Sequence, residues 1–236
     1  MSEFSNFGPL FQKAMGLDRP PVAVAFCEAP PAGVARFSGA EPSGCSYWRL
    51  AAEGRVFYTV PSDHFNCPIG SYTHNIGLPR DRAPELDQTL SLMVQIGYLK
   101  MEEVPSIPRL PKTPAVVIYA PLADSPVEPD LAIFSGPPGR ISLLIESAQR
   151  AGVCAGIPIL GRPTCMTIPA ALAGGIAVSA ACIGNRVYTG IGENELYAAV
   201  SAKNLRKIAD ELETIVSANA TLAQYHRQRR AQLSTD

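Results

Sequence analysis

The sequence carries one cysteine motif twice. Cys67-Pro-Ile-Gly-Ser-Tyr-Thr-His-Asn-Ile-Gly77 lies in the first half, and Cys182-Ile-Gly-Asn-Arg-Val-Tyr-Thr-Gly-Ile-Gly192 lies in the second. With small gaps the two share Cys, Ile-Gly, Tyr-Thr and Ile-Gly in the same order. Each follows another cysteine, Cys45 before Cys67 and Cys165 before Cys182. Such a repeat predicts two related halves, and a pseudo-twofold axis between them would bring four thiols toward one place.

The order of elements repeats as well. Residues 3–16 predict an opening helix whose stripe is Phe4, Phe7, Leu10, Phe11 and Met15. Pro21-Val-Ala-Val-Ala-Phe-Cys27 and Ala115-Val-Val-Ile-Tyr119 read as buried strands. Ser43 can cap a short helix over 44–53, and Pro163 suits the first turn of another that runs to 173. Strands over 56–60 and 176–180 follow, by their β-branched and aromatic content, and each leads into a cysteine loop. A helix over about 84–98 places Leu86, Leu90, Met93 and Gly97 on one face. Four prolines within 102–114 break regular structure and mark the joint between the halves. Strands over 131–134 and 196–200 and a helix over 140–151 complete the second half. After Ser201 comes a last helix with Leu205, Ile208, Leu212, Ile215 and Val216 on one stripe. The expected architecture is α/β and internally duplicated, a sheet covered by helices with pseudo-twofold halves at 1–110 and 111–217 and a polar tail at 218–236, all in one compact domain.

Hydrophobic residues make up 47% and charged residues 17%, which is enough apolar material for a folded core with a modestly charged surface. A net charge of -1 argues against a dedicated nucleic-acid binder. The short basic run His226-Arg-Gln-Arg-Arg230 lies in the polar tail and reads as solvated. The N-terminus has no signal-peptide pattern, and no apolar run reaches the roughly 18 residues of a membrane span. A cytoplasmic location without membrane partners follows as an expectation. There, six cysteines are reduced, metal-bound or buried rather than paired as disulfides.

Thiolate suits iron–sulfur clusters and zinc because soft sulfur matches those metals. The candidate ligands are Cys45, Cys67, Cys165 and Cys182. Separations of 22 and 17 positions within the pairs leave their convergence to the fold. Cysteines are also common core residues, so a set of buried thiols without metal is the plain alternative. His64 lies three residues before Cys67, so Cys67 as nucleophile with His64 as base is a second reading. A tyrosine-phosphatase loop is rejected, because it needs a longer spacer than the three residues between Cys182 and Arg186. Arg186 could hold a carboxylate or lower a nearby thiol pKa, or serve a structural ion pair. Asn185, Tyr188 and Tyr72 complete the candidate ligand contacts, although tyrosines of this kind more often pack. The glycines match no dinucleotide or phosphate loop.

Gly161-Arg-Pro-Thr-Cys165, Cys182-Ile-Gly-Asn-Arg-Val-Tyr-Thr189 and Asp63-His-Phe-Asn-Cys-Pro-Ile-Gly70 resemble the domain-of-unknown-function 169 family, over roughly Pro20 to Val216. The resemblance implies that the recurring cysteines fall on Cys45, Cys67, Cys165 and Cys182, and not on Cys27 or Cys154. It implies no settled reaction. The leading reading is a protein that binds a metal or redox cofactor at the interface of its repeats. An iron–sulfur cluster comes first and zinc or haem after it. A Cys67/His64 thiol hydrolase or transferase, and a non-catalytic small-ligand module holding no cofactor, are the alternatives. Its partner is a small molecule or cofactor, and the oligomeric state is not legible.

Overall fold

The computed structural model describes residues 4–154, 156–157 and 159–233; position 3 of the expected first helix and the last three of the tail lie outside these. In chain order the elements are α1 (Phe4–Met15), β1 (Val22–Cys27), α2 (Gly44–Ala52), β2 (Phe57–Thr59), α3 (Pro68–Thr73) and α4 (Pro84–Gln95). Then come β3 (Val116–Pro121), β4 (Leu131–Gly136), α5 (Pro138–Arg150), β5 (Ile159–Leu160) and α6 (Thr167–Gly174). The chain ends with β6 (Ile176–Ser179), α7 (Ile183–Thr189), β7 (Leu196–Ser201) and α8 (Ala202–Leu233). Every strand and long helix expected from the sequence is present to within a few residues. The two cysteine loops differ. Each forms a short helix, α3 and α7, with its cysteine at the N-cap. Six or seven residues are too few for an apolar period to show, so only the turn-like glycines were legible.

The seven strands form one sheet in the order β2-β3-β1-β4-β7-β6-β5. All neighbours are antiparallel except β5 and β6. From β2 to β6 the order mirrors itself about the β1–β4 pair. β3 follows the proline-rich stretch in sequence, yet it pairs with β1 and β2. Period-2 alternation sorts the side chains to two faces. Val22, Val24, Val117, Tyr119, Leu131, Ile133 and Ala199 face α2 and α6 in one core. Ala23, Ala132, Phe134, Val178 and Val200 face α1, α5 and α8 in the other. Phe11 packs edge-on against Phe134, with centroids 5.1 Å apart. The layout is helices on both faces of a sheet, which buries both apolar sides.

The segment expected as a polar tail continues α8 as helix to Leu233. Its apolar stripe stops near Val216, and beyond it the residues are chiefly exposed. No helix among the described residues is long and apolar enough to cross a membrane.

Truncation after Ala220 should therefore change stability by no more than about 0.5 kcal/mol, as expected for exposed positions. Leu212→Ala, which opens a hole under the same helix, should cost about 2–5 kcal/mol. Urea denaturation of both variants tests the contrast.

Candidate functional site

Four segments that carry cysteine meet on the α2/α6 face of the sheet. Cys45 is the second residue of α2 and is buried. Cys165 lies in the single 3-10 turn Thr164–Met166 before α6 and is also buried. Cys67 caps α3, and its sulfur accepts from the Gly70 amide at 3.2 Å. A methyl group at Gly70 would sit 2.8 Å from that sulfur, so this position must be glycine while the thiol keeps its place. Cys182 caps α7, and its amide donates to Thr164 Oγ1 at 2.7 Å, tying the second motif to the Cys165 turn. Packing joins segments far apart in sequence, with α2 against α7 and α3 against the Cys165 turn.

All four thiols line one cavity of about 890 Å³. Burial pushes the Cys45 thiol well above the ordinary thiol range, and Cys165, Cys67 and Cys182 push it further. Burial also raises Cys165, with Cys67 and Cys182 adding to it. Burial raises Cys67 while the amides of Gly44 and Gly70 pull it back, and Cys182 adds to the rise. Every pair among the four is thus close enough for one thiolate to disfavour another. Without a cation Cys45, Cys67 and Cys165 are held as neutral thiols. Among the described residues, no three or more His, Cys, Asp or Glu side chains are gathered tightly enough to hold a single metal ion. All six cysteines are free of disulfides, and Cys27 and Cys154 lie away from the cavity.

The other expected site residues divide. Asn185 and Tyr188 line the cavity; Tyr72, His64 and Arg186 do not. Tyr72 lies under the Arg109 guanidinium and donates to Val104 O at 3.4 Å. The His64 imidazole is buried behind the cavity, with Nε2 2.9 Å from Thr59 Oγ1 and the ring stacked on His74 at 6.0 Å. Only its backbone carbonyl meets Cys67, accepting that residue's amide at 3.1 Å. Arg186 spends its guanidinium on backbone: Nη2 donates to Ala180 O at 2.6 Å, Nε to Ala181 O at 3.2 Å and Nη1 to Gly192 O at 2.7 Å. This clamp secures a strained turn. Ala181 has φ 61°, a left-handed conformation that costs a non-glycine residue about 1–3 kcal/mol. The turn delivers Cys182 to the cavity. The expected roles of Arg186 in holding a carboxylate or lowering a thiol pKa therefore give way to a structural one.

Sequence reasoning passed over the other lining. α4 and the residues after it supply Leu90, Met93, Leu99 and Val104. The shared face of Leu86, Leu90 and Met93 on this helix was their signal. Arg162 also lines the cavity, ion-paired to Glu103 at 3.1 Å and stacked on Tyr98 at 5.0 Å.

The family model described as an uncharacterised ArCR, domain of unknown function 169, matches residues 10–211. The chain belongs to this family. The match takes in every residue that lines the cavity and leaves out most of the projecting part of α8. No curated protein and no solved structure matches.

Two tests follow from the geometry of this family member. Burial holds His64 neutral with its pKa lowered to about 3, and His74 likewise at about 4. In the unfolded chain both protonate below about pH 6.5. The unfolded state then binds more protons, so stability falls as pH drops from about 6.5 toward 4. His74→Gln should flatten that slope in denaturant titrations at several pH values; an unchanged slope would remove His74 from the account. Arg186→Met should cost about 1–3 kcal/mol through unpaired carbonyls and speed alkylation of Cys182. Mass-spectrometric labelling rates read the second effect.

Proposed function

We propose that the four cavity thiols hold a metal-based redox cofactor, with an iron–sulfur cluster as the first candidate. The observation that carries this reading is the convergence of Cys45, Cys67, Cys165 and Cys182, from four separate segments, on one cavity. Four thiolates repel one another in a poorly hydrated site, and a polynuclear cation centre offsets that repulsion. Lone zinc draws its four sulfurs tightly around one ion. The thiols here share a cavity without being gathered about a point. A cluster carries its ligands on separate irons and so accepts thiols set further apart than one zinc does.

This reading takes the chain as a duplication whose seam is moved from the expected joint at 102–114 to between β3 and β4, because β3 pairs with β1 and β2. The mirrored strand order supports it, as does the parallel placement of Cys45 and Cys67 around β2 and of Cys165 and Cys182 around β6. Each half then gives two ligands, and a reducing, cytoplasmic setting belongs to the same reading. The thiol-enzyme alternative has less support, because the His64 imidazole bonds to Thr59 instead of Cys67.

Anaerobic purification or reconstitution should yield brown protein with iron and acid-labile sulfide, whose visible absorption bleaches on reduction. Serine at Cys45, Cys67, Cys165 or Cys182 should lose most of the iron, while Cys27→Ser and Cys154→Ser keep it. Colourless protein without iron or sulfide after reconstitution, or equal iron in all six variants, would sink the proposal.

A further inference from the structure

We infer that the same cavity binds a second molecule, a neutral and mainly apolar organic ligand that offers a hydrogen-bond acceptor to Asn185. The inference rests on the cavity and not on the metal.

Size is the first argument. About 890 Å³ lies at the upper end of the roughly 300–1,000 Å³ typical of sites for small organic ligands. The thiols account for only part of the lining. Leu90, Met93, Leu99, Val104 and Ile107 make another part apolar. Transfer of an apolar molecule onto such a wall is favoured in proportion to the apolar area removed from water.

Charge is the second argument. The charged side chains lining the cavity are Glu85, Glu103 and Arg162. Glu85 is paired with Arg82 at 2.6 Å, and Glu103 is paired with Arg162 at 3.1 Å. Their charges are spent on each other, so a charged ligand would lose its hydration without gaining a counter-ion.

The third argument is Asn185, which is 2% exposed and lines the cavity. Its Nδ2 has no partner within ordinary hydrogen-bond geometry, with the Cys45 thiol and the Tyr197 hydroxyl beside the amide, and its Oδ1 receives the Thr189 hydroxyl at 3.4 Å. A buried amide donor left unpaired has lost its hydration without compensation. Nδ2 is sealed from solvent in this conformation, so a carbonyl or ether oxygen on the ligand would meet it once the amide turns into the cavity. The ligand class is therefore an apolar body with a carbonyl-type oxygen.

Prodan, a neutral naphthalene ketone whose emission moves to the blue in apolar surroundings, has this chemistry. Titrated into the full-length, metal-free protein, it should bind saturably, one per chain, with blue-shifted emission. Met93→Trp, at a half-buried position in the cavity lining, should weaken binding at least about tenfold by filling the cavity. Asn185→Leu, similar in size but without the donor, should weaken it about tenfold, the worth of one hydrogen bond. Leu222→Trp, on the projecting part of α8, should leave binding unchanged. Thermal melts identify a variant that fails to fold, and Met93→Trp keeps the test decisive if Asn185→Leu does. Absence of saturable binding, or binding that Met93→Trp leaves unchanged, overturns the inference. Iron content is read separately. Prodan binding by protein that cannot be loaded with iron leaves this inference standing and sinks the cofactor reading, and iron loading without prodan binding does the reverse.

Discussion

The pairing of β1 with β4 is the constraint on which the rest of the structure depends. Val22 stands opposite Ile133, Ala23 opposite Ala132 and Val24 opposite Leu131 at the middle of the sheet. All six side chains are buried. Burying a Val, Leu or Ile side chain contributes about 1.5–3 kcal/mol, so this register is strongly held. A slip of one residue would turn the large side chains toward α1 and α5 and the alanines toward α2 and α6. From this pair the sheet grows outward in mirrored order, with β3 and β2 on one side and β7 and β6 on the other. α2, which carries Cys45, and α6, which follows the Cys165 turn, consequently pack in one core, on one face.

Short local hydrogen bonds then aim the cysteine segments. The Ser71 hydroxyl donates to His64 O at 2.9 Å, Thr73 to Gly70 O at 2.9 Å and Thr167 to Thr164 O at 2.6 Å. Tyr47 donates to Asp63 O at 2.7 Å. Each buried hydroxyl is thereby satisfied close to its own segment, as buried polar groups require. The backbone beneath Cys67 and Cys165 is held chiefly by these bonds, to which the Cys67 sulfur adds the Gly70 amide, and all four cysteines line the cavity.

The lining from α4 onward is held differently. Its ion pairs, Arg82 with Glu85 and Arg162 with Glu103, are partly exposed, and such pairs contribute about 0–1 kcal/mol. Leu90 and Val104 are buried and supply most of its attachment. The thiol wall is thus fixed by the sheet and its core helices, while the apolar wall rests on a few side chains.

Much of the fold could be read directly. Runs such as Val22–Cys27 and Val116–Pro121 announce buried strands because a strand covered on both faces has no polar alternation to hide its apolar content. The repeat of Cys, Ile-Gly and Tyr-Thr singled out Cys67 and Cys182, and with Cys45 and Cys165 all four line the cavity. Asn185 and Tyr188 were found for the same reason. What the sequence could not decide was direction. His64 and Arg186 stand three or four residues from a cysteine, yet one turns back to Thr59 and the other to three backbone carbonyls. Proximity along the chain sets reach, whereas burial and unmet hydrogen bonds set orientation. The strand order was out of reach too, since pairing β3 with β1 and β4 with β7 depends on surfaces far apart in sequence. Local residue chemistry determined which groups were available, and tertiary packing alone decided which of them share a cavity.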